Sequence, residues 1–241
     1  MVKDDRDAPA LPPVDPAAVG EGIERAYSPE LLAGLLVDGD DDLAAWTIEH
    51  ALADSTRAEV YDGLVTDAMR IVGERWKAGE WSVADEHLAS QTLLRTLERL
   101  RPDLGVEGRI GPLAVLAGAA GEHHMIGLVC LDHLLSEHGW TVANLGGDVP
   151  AADLGGFVQR NDAKLVALAA SRTARIAAVA ESVSAVREAG ATRRIPVILG
   201  GGLASESGIP TALGLDWAGI SLSEALRFAD GVFASLPAVE A

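Results

Sequence analysis

The sequence predicts a four-helix bundle followed by a doubly wound α/β unit with a five-stranded parallel sheet. Three observations carry this. Residues 29–100 repeat apolar side chains at helical spacing. Beyond Arg101-Pro102, short apolar runs alternate with amphipathic stretches. Hydrophobic residues make up 49% of the 241, enough for an ordinary core.

The elements follow in order. Residues 1–27 carry Pro9, Pro12, Pro13 and Pro16 among acidic side chains and read as a disordered tail. In 28–100, Leu31, Leu32, Leu35 and Leu36 mark a first helix. Leu43, Trp46, Ile48, His50 and Leu52 mark a second. Tyr61, Leu64, Val65, Ala68, Met69, Val72 and Trp76 keep an i, i+3, i+4 rhythm for a third, which Gly79 breaks. Ser82 and Asp85 form an acidic variant of the capping box and open a fourth through Leu88, Leu93, Leu94 and Leu97. Residues 101–112 read as a linker. The α/β unit, 113–241, has buried strands at 113–117, 141–145, 165–170, 197–199 and 217–220, with helical stretches such as 128–138 and 176–189 between them. The strands are apolar throughout because crossover helices cover both faces of a parallel sheet. Ligands of such sheets bind beyond the carboxyl ends of the strands, so the loops there are the ones to inspect.

Charge and cysteine content exclude several function classes. Nineteen Lys and Arg stand against 36 Asp and Glu, a net charge of −17. Such a surface repels phosphate, and no basic stripe offsets it, so direct nucleic-acid binding is not expected. The single cysteine, Cys130, allows no intrachain disulfide and no cysteine-based zinc site. No apolar run approaches the roughly 20 residues that span a bilayer, and Met1 to Asp7 lacks the apolar core of a secretory signal. The expectation is a soluble cytoplasmic protein with no membrane partner.

Four segments could carry chemistry. The loop after the first strand holds Glu122, His123 and His124 between Gly118 and Gly127. A histidine there can ligate a metal through one ring nitrogen while a carboxylate fixes the other. The plainer reading is a polar loop that caps the next helix, with Glu122 favoured by the helix dipole. His133 and His138 are expected at the surface. Ser171 and Thr173, after the third strand, read on their own as ordinary N-caps. Gly200-Gly201-Gly202 ends the fourth strand and lets a large group approach the backbone; Gly146-Gly147 with Pro150 makes the loop after the second strand another permissive turn. The chain has no GxGxxG fingerprint and no P-loop, which disfavours nucleotide-phosphate chemistry. In the helical half, Trp76 is followed after nine residues by Glu86-His87. One interhelical corner can present all three, although a Trp at a helix end is commonly core and a Glu in a first turn commonly a dipole partner. No Ser-His-Asp or Cys-His arrangement has supporting spacing.

Taken together, these residues resemble a known family. Glu122-x-His124-x-x-Gly127 is similar to the cobalamin-binding motif of flavodoxin-like corrinoid domains, in the variant with Glu first. Ser171-x-Thr173 and Gly200-Gly201 fall where that family has its Ser-containing and Gly-Gly elements, and a four-helix cap precedes the domain. Trp76-x9-Glu86-His87 resembles the motif of adenosylcobalamin-dependent photoreceptors of the CarH type. The likeness covers about residues 28–235.

The resemblance implies a flavodoxin-like domain that binds cobalamin. It implies His124 as lower axial ligand to cobalt, oriented by Glu122. His123, Met125, Ile126 and Gly127 would lie at the cofactor, with the displaced nucleotide tail beside Gly200, Gly201, Ser171 and Thr173. Trp76 would cover the adenosyl group, with Glu86 and His87 in contact with it. The implied function is a light sensor rather than an enzyme. Adenosylcobalamin is the expected cofactor, with methylcobalamin or hydroxocobalamin as other forms. Its output would be a homo-oligomer or a separate signalling or transcription partner. The alternatives are a corrinoid carrier of a methyltransferase system and a light-independent cobalamin-sensing regulator; a radical mutase ranks lower, since no substrate domain is recognised. Two departures stand out. No DNA-binding domain is recognised ahead of the cap, and Lys77 follows Trp76 where the family has a histidine that takes the upper cobalt position after illumination. A lysine ammonium has no lone pair to give a metal.

Overall fold

A computed structural model of the chain describes residues 27–102, 111–190, 193–206 and 208–237. The acidic tail expected for 1–27 lies outside them except for Tyr27, as does most of the linker expected for 101–112.

Local signals set the helices of the first half. Helix α1, Pro29–Asp38, starts where the Ser28 hydroxyl accepts the Leu31 N–H, with Pro29 leading its first turn. It stops at Gly39, whose φ of 78° supplies the left-handed turn. Asp40 caps α2, Asp41–Asp54, through the Leu43 N–H. The third rod begins with a Thr56–Glu59 capping box and runs as α3, Arg57–Val60, a π turn, Tyr61–Val65, and α4, Thr66–Lys77. In the π turn the Tyr61 carbonyl accepts both the N–H and the hydroxyl of Thr66, the latter at 2.8 Å. Helix α5, Val83–Arg99, opens with the capping box expected of Ser82 and Asp85. Four rods result, as the periodicity requires.

The five strands are β1 Leu113–Gly118, β2 Thr141–Asn144, β3 Leu165–Ala169, β4 Val197–Gly200 and β5 Trp217–Ala218. All pair in parallel, in the order β2-β1-β3-β4-β5. Helices α6 Ile126–Glu137, α7 Ala151–Arg160, α8 Ile176–Ala189, α9 Ile209–Ala212 and α10 Leu222–Ser235 lie between and after them. Strand direction out of β1 reverses side between β2 and β3, so the loops after β1 and β3 adjoin at the switch point of the sheet.

The period-two alternation of the strands divides the core. Ala114, Leu116, Leu165, Ala167 and Ile198 face one way and join Leu32, Leu36, Ile48, Val72, Leu93 and Leu97 of the bundle in one continuous cluster, together with α6 and α10. Val115, Ala117, Val166, Leu168, Val197 and Leu199 face the other way, against α7 and α8. The bundle therefore packs as a third layer, mainly over α6 and α10.

Two expectations are corrected. In α2 the small residues Ala44, Ala45 and Ala51 are buried with Thr47 and Ile48, while Leu43 is exposed and Trp46 is 46% exposed, stacked on His50 with ring centroids 3.7 Å apart. Side-chain size misleads there because alanines fill most of the inner face beside Thr47 and Ile48 and leave the larger Leu43 and Trp46 on the outer side. His133, expected at the surface, is fully buried between α6 and the bundle, because the third rod covers that face of α6. His138 is partly exposed beside Asp230.

The junction of the two halves is polar as well as apolar. Arg57 donates to Tyr61 Oη at 3.0 Å and to Glu137 Oε1 at 2.6 Å. Since the Tyr61 oxygen accepts from Arg57, its own proton goes to Nδ1 of His133, 2.8 Å away. That places the His133 proton on Nε2, which has no partner among the described residues. The next residue, Asp62, accepts from the Ser221 hydroxyl and from the Leu222 and Ser223 N–H groups at 2.6–2.9 Å, and so caps α10 from the bundle. Burial works against its ionisation, but these donors outweigh it and hold the carboxyl below the usual range.

Candidate functional site

A cavity of about 620 Å³ opens between the bundle and the carboxyl edge of the sheet. One wall comes from the third rod and α5, the other from the loop after β1 and the start of α6. Trp76, Glu86 and His87 line it from the bundle side. Trp76 sits in the last turn of α4 and is 37% exposed. Glu86 ends the first turn of α5 and His87 begins the second, so the helical corner presents all three residues together. His87 Nδ1–H donates to Glu86 Oε2 at 2.5 Å, and Glu86 Oε1 accepts from the Ser90 hydroxyl.

His123, His124, Met125, Ile126 and Gly127 line the facing wall. The chain turns so tightly there because three glycines allow it. The loops after β1 and β2 cross where a Cβ on Gly118 would stand 2.9 Å from Gly147 Cα, and one on Gly147 would stand 2.5 Å from the Glu122 carbonyl oxygen. Gly146, with φ of 77°, completes the turn. Asp148 then fixes the loop: its N–H donates to the Glu122 carbonyl at 2.8 Å and its carboxylate accepts the Gly121 N–H at 2.6 Å.

Glu122 itself points inward and is buried. Oε1 accepts both the His124 N–H, at 2.9 Å, and the His124 ring at Nδ1. Oε2 accepts the Ser171 N–H at 2.5 Å, which ties the loop after β1 to the loop after β3. Burial raises the cost of ionising this carboxyl, but the N–H and ring of His124 and the Ser171 N–H overcome it, so the group is held below the ordinary carboxylate range. An anionic Glu122 keeps the proton on Nδ1 of His124. The Nε2 lone pair is then free, on a ring that is 65% exposed.

The remaining sequence candidates stand outside the cavity lining. Ser171 acts through its backbone N–H on Glu122. Thr173 opens a short 3₁₀ turn at the surface. Gly200 ends β4, and a Cβ there would meet nothing closer than 3.9 Å. Gly201 and Gly202 have a local reason: a Cβ would stand 2.7 Å from the Ala170 oxygen and 2.6 Å from the Ser171 oxygen.

Sequence reading missed Met69 and Gly73 on the third rod and Ser90, Gln91 and Leu94 on α5, all of which line the cavity. Two signals existed. A glycine inside a helix costs up to about 1 kcal/mol relative to alanine, and nothing lies within 4 Å of a Cβ at Gly73. Residues 86/90 and 87/91/94 share one face of α5 by helical spacing. Cys130 also lines the cavity, and burial pushes its thiol up to about 12, so it stays protonated.

The residues suit a corrinoid. The cavity would offer a wide apolar macrocycle the apolar side chains Met69, Leu94 and Ile126, open space at Gly73 and Gly127, and one imidazole whose far nitrogen is fixed by a carboxylate. Among the described residues no group of three or more His, Cys, Asp or Glu could hold a bare metal ion, so a macrocycle that brings its own ligands is the better match. No helix among them is long and apolar enough to cross a membrane.

Comparison with known proteins agrees. Two family models, each described as a B12 binding domain, match residues 30–101 and 112–220. The fold and site thus define a cobalamin-binding protein, and the chain belongs to the B12-binding domain family. Within it, the chain resembles the light-sensing module of the CarH type. The HTH-type transcriptional repressors CarA and CarH of Myxococcus xanthus are 36% identical over 141 residues and 34% identical over 161. Those matches cover 58% and 65% of this chain but 46% and 52% of the repressors, so the chain spans about half their length. A corrinoid protein of Desulfitobacterium hafniense is 25% identical over 177 residues, covering 71% of this chain and 82% of its own. The structure of the Methanosarcina barkeri monomethylamine corrinoid protein shares the fold, with a TM-score of 0.70 at 20% identity, over 87% of this chain and 99% of that one.

Proposed function

We propose that this chain is a cobalamin-dependent light sensor rather than a catalyst, and that adenosylcobalamin is the form it uses. The observation that carries this reading is the pairing of two walls: Trp76, Glu86 and His87 face the Glu122–His124 pair across one cavity. When bound, adenosylcobalamin supplies a cobalt–carbon bond that light can break. His124 Nε2 would hold the cobalt of the bound cofactor, with Glu122 fixing the tautomer and the ring direction. Gly200 leaves room along β4 for the displaced nucleotide tail, with Ser171 and Thr173 beside that path. On the bundle side the Trp76 indole would stack on the adenine of the adenosyl group and the Glu86 carboxylate would accept from its ribose hydroxyls.

Without an adenosyl group the bundle wall would lose that packing, and Trp76 with the third rod would be free to shift against α6 and α10, making or breaking an association with another copy or a separate signalling partner. A net charge of −17 supports a protein partner over direct contact with nucleic acid, and the cytoplasm is the compartment that fits. The carrier reading shares His124 and the cap but requires an upper face open to partner enzymes; a light-independent regulator keeps the site and drops the photochemistry.

Trp76→Ala separates these. Base–aromatic stacking contributes about 1–3 kcal/mol, so adenosylcobalamin affinity should fall roughly 5- to 150-fold while methylcobalamin affinity stays within a few-fold. Equal losses favour the carrier. A dark-loaded protein should also change its absorption spectrum and its elution volume under green light; unchanged traces refute the sensory role.

A further inference from the structure

Outside the cavity lining, two arginines stand at the carboxyl edge of the sheet without an acidic partner among the described residues. We propose that Arg172 and Arg175, in the turn after β3, form a binding site for a phosphoryl anion where the loops after β1 and β3 adjoin. The phosphoryl group can come from the phosphodiester of a cobalamin nucleotide tail or from free phosphate. The first source rests on the cobalamin reading above; the second does not.

Three observations converge. The first is charge. The chain carries −17 overall, and each arginine of the bundle, Arg57, Arg70, Arg75, Arg95 and Arg99, has a carboxylate within 4.0 Å. Arg172 and Arg175 have none among the described residues. The carboxylates of the adjoining loops are already committed. Glu122 accepts from the N–H and ring of His124 and from the Ser171 N–H, and Asp148 accepts the Gly121 N–H. Two positive charges at this edge are therefore left uncompensated on an acidic protein.

The second is preorganisation. The Arg175 guanidinium lies directly over Gly121, where a Cβ would stand 2.6 Å from Cζ. The side chain is half-buried and seated on the loop after β1, so part of its conformational entropy is already given up before any ligand arrives. The third is chemistry and place. A guanidinium is a rigid fork of N–H donors that matches phosphoryl oxygens two at a time. A tetrahedral phosphoryl group presents oxygens to two such forks, whereas a planar carboxylate fills one. The exposed Thr173 stands between the arginines in sequence and adds a hydroxyl donor. Gly201 and Gly202 pass too close to the Ala170 and Ser171 carbonyls to carry a side chain, so none intrudes at those positions between the loops after β3 and β4. Parallel sheets bind ligands at this edge.

The test compares the full chain with the double variant Arg172→Met, Arg175→Met, which keeps an unbranched stem over Gly121 and removes both charges. Without cofactor, millimolar inorganic phosphate should raise the Tm of the wild type saturably, and potassium chloride at equal ionic strength should not. The double variant should lose the response. Arg227→Met, which removes a charge from α10 on the opposite face of the sheet, should keep it. A second titration separates the sources, because hydroxocobalamin carries the tail phosphodiester and diaquacobinamide does not. If the tail supplies the phosphoryl group, the double variant should bind hydroxocobalamin roughly 10- to 100-fold more weakly and diaquacobinamide equally well. If free phosphate is the ligand, both corrinoids keep their affinity and the phosphate response survives loading with hydroxocobalamin. Equal phosphate responses and equal corrinoid affinities in wild type and double variant overturn the proposal and leave the corrinoid site standing. A wild type that binds neither corrinoid but responds to phosphate through these arginines overturns the cobalamin reading and leaves the anion site. No response to any of the three probes overturns both.

Discussion

The buried His133 makes a quantitative demand on acid stability. Burial pulls the imidazole down from its ordinary 6.5, and the Arg57 and Arg101 guanidiniums push the same way, to about 4. Its Nδ1 accepts from Tyr61 and its Nε2 has no acceptor nearby among the described residues, so the folded state holds it neutral. Between pH 6.5 and about 4 the unfolded chain binds one proton that the folded chain refuses. The unfolded state is the better proton acceptor there, so stability falls as pH falls. The gap of about 2.5 pH units at 1.36 kcal/mol each gives a loss of about 3 kcal/mol by pH 4. Urea unfolding at a series of pH values measures it, with His133→Asn as the comparison. Asparagine does not titrate and still offers an acceptor to Tyr61. The variant is less stable at pH 7, but its profile lacks the His133 slope, and subtraction cancels the response of the acidic surface, which both chains share. Parallel profiles between pH 4 and 6.5 would refute a neutral, buried His133.

Other outcomes follow from single contacts. Asp62→Ala leaves three donors at the start of α10 without their acceptor and should cost about 2 kcal/mol in chemical unfolding, with hydrogen exchange rising first in the α10 amides. Gly201→Ala puts a Cβ at φ 91° and 2.7 Å from the Ala170 oxygen, so a loss of about 1–3 kcal/mol should appear as a lower Tm. Glu122→Gln removes the anion that orients His124 and should weaken hydroxocobalamin binding by roughly 10- to 100-fold in a spectral titration; unchanged affinity would separate Glu122 from the ligand role.

The sequence makes the repeating parts of this protein legible. Capping residues such as Ser82 and Asp85, and apolar runs such as 113–117, report local preferences that the fold keeps. Part of each cavity wall was legible too, since Trp76, Glu86 and His87 flank one helical corner and His124 follows the first strand. What escaped depends on contacts between distant segments. His133 looks like any polar residue of α6 until the third rod covers it. Trp46 looks like core until the alanines beside it take that place. Gly201 reads as ligand clearance, yet the Ala170 backbone already accounts for it. The π turn left no periodic trace, because one additional residue per turn still keeps Tyr61, Leu64 and Val65 on the inner side.

That turn has an angular consequence. Each residue of an α-helix advances the azimuth by about 100°, and the widened turn at Tyr61–Val65 absorbs one such step. Everything downstream inherits the phase. Closing Tyr61–Val65 into uninterrupted α-helix at the same chain length would rotate the indole at the far end by about a quarter-turn relative to the Asp62 anchor, whereas deleting Gly63 along with the turn would leave its heading nearly unchanged. A five-residue irregularity, some three helical turns away, thus sets the heading of the lid.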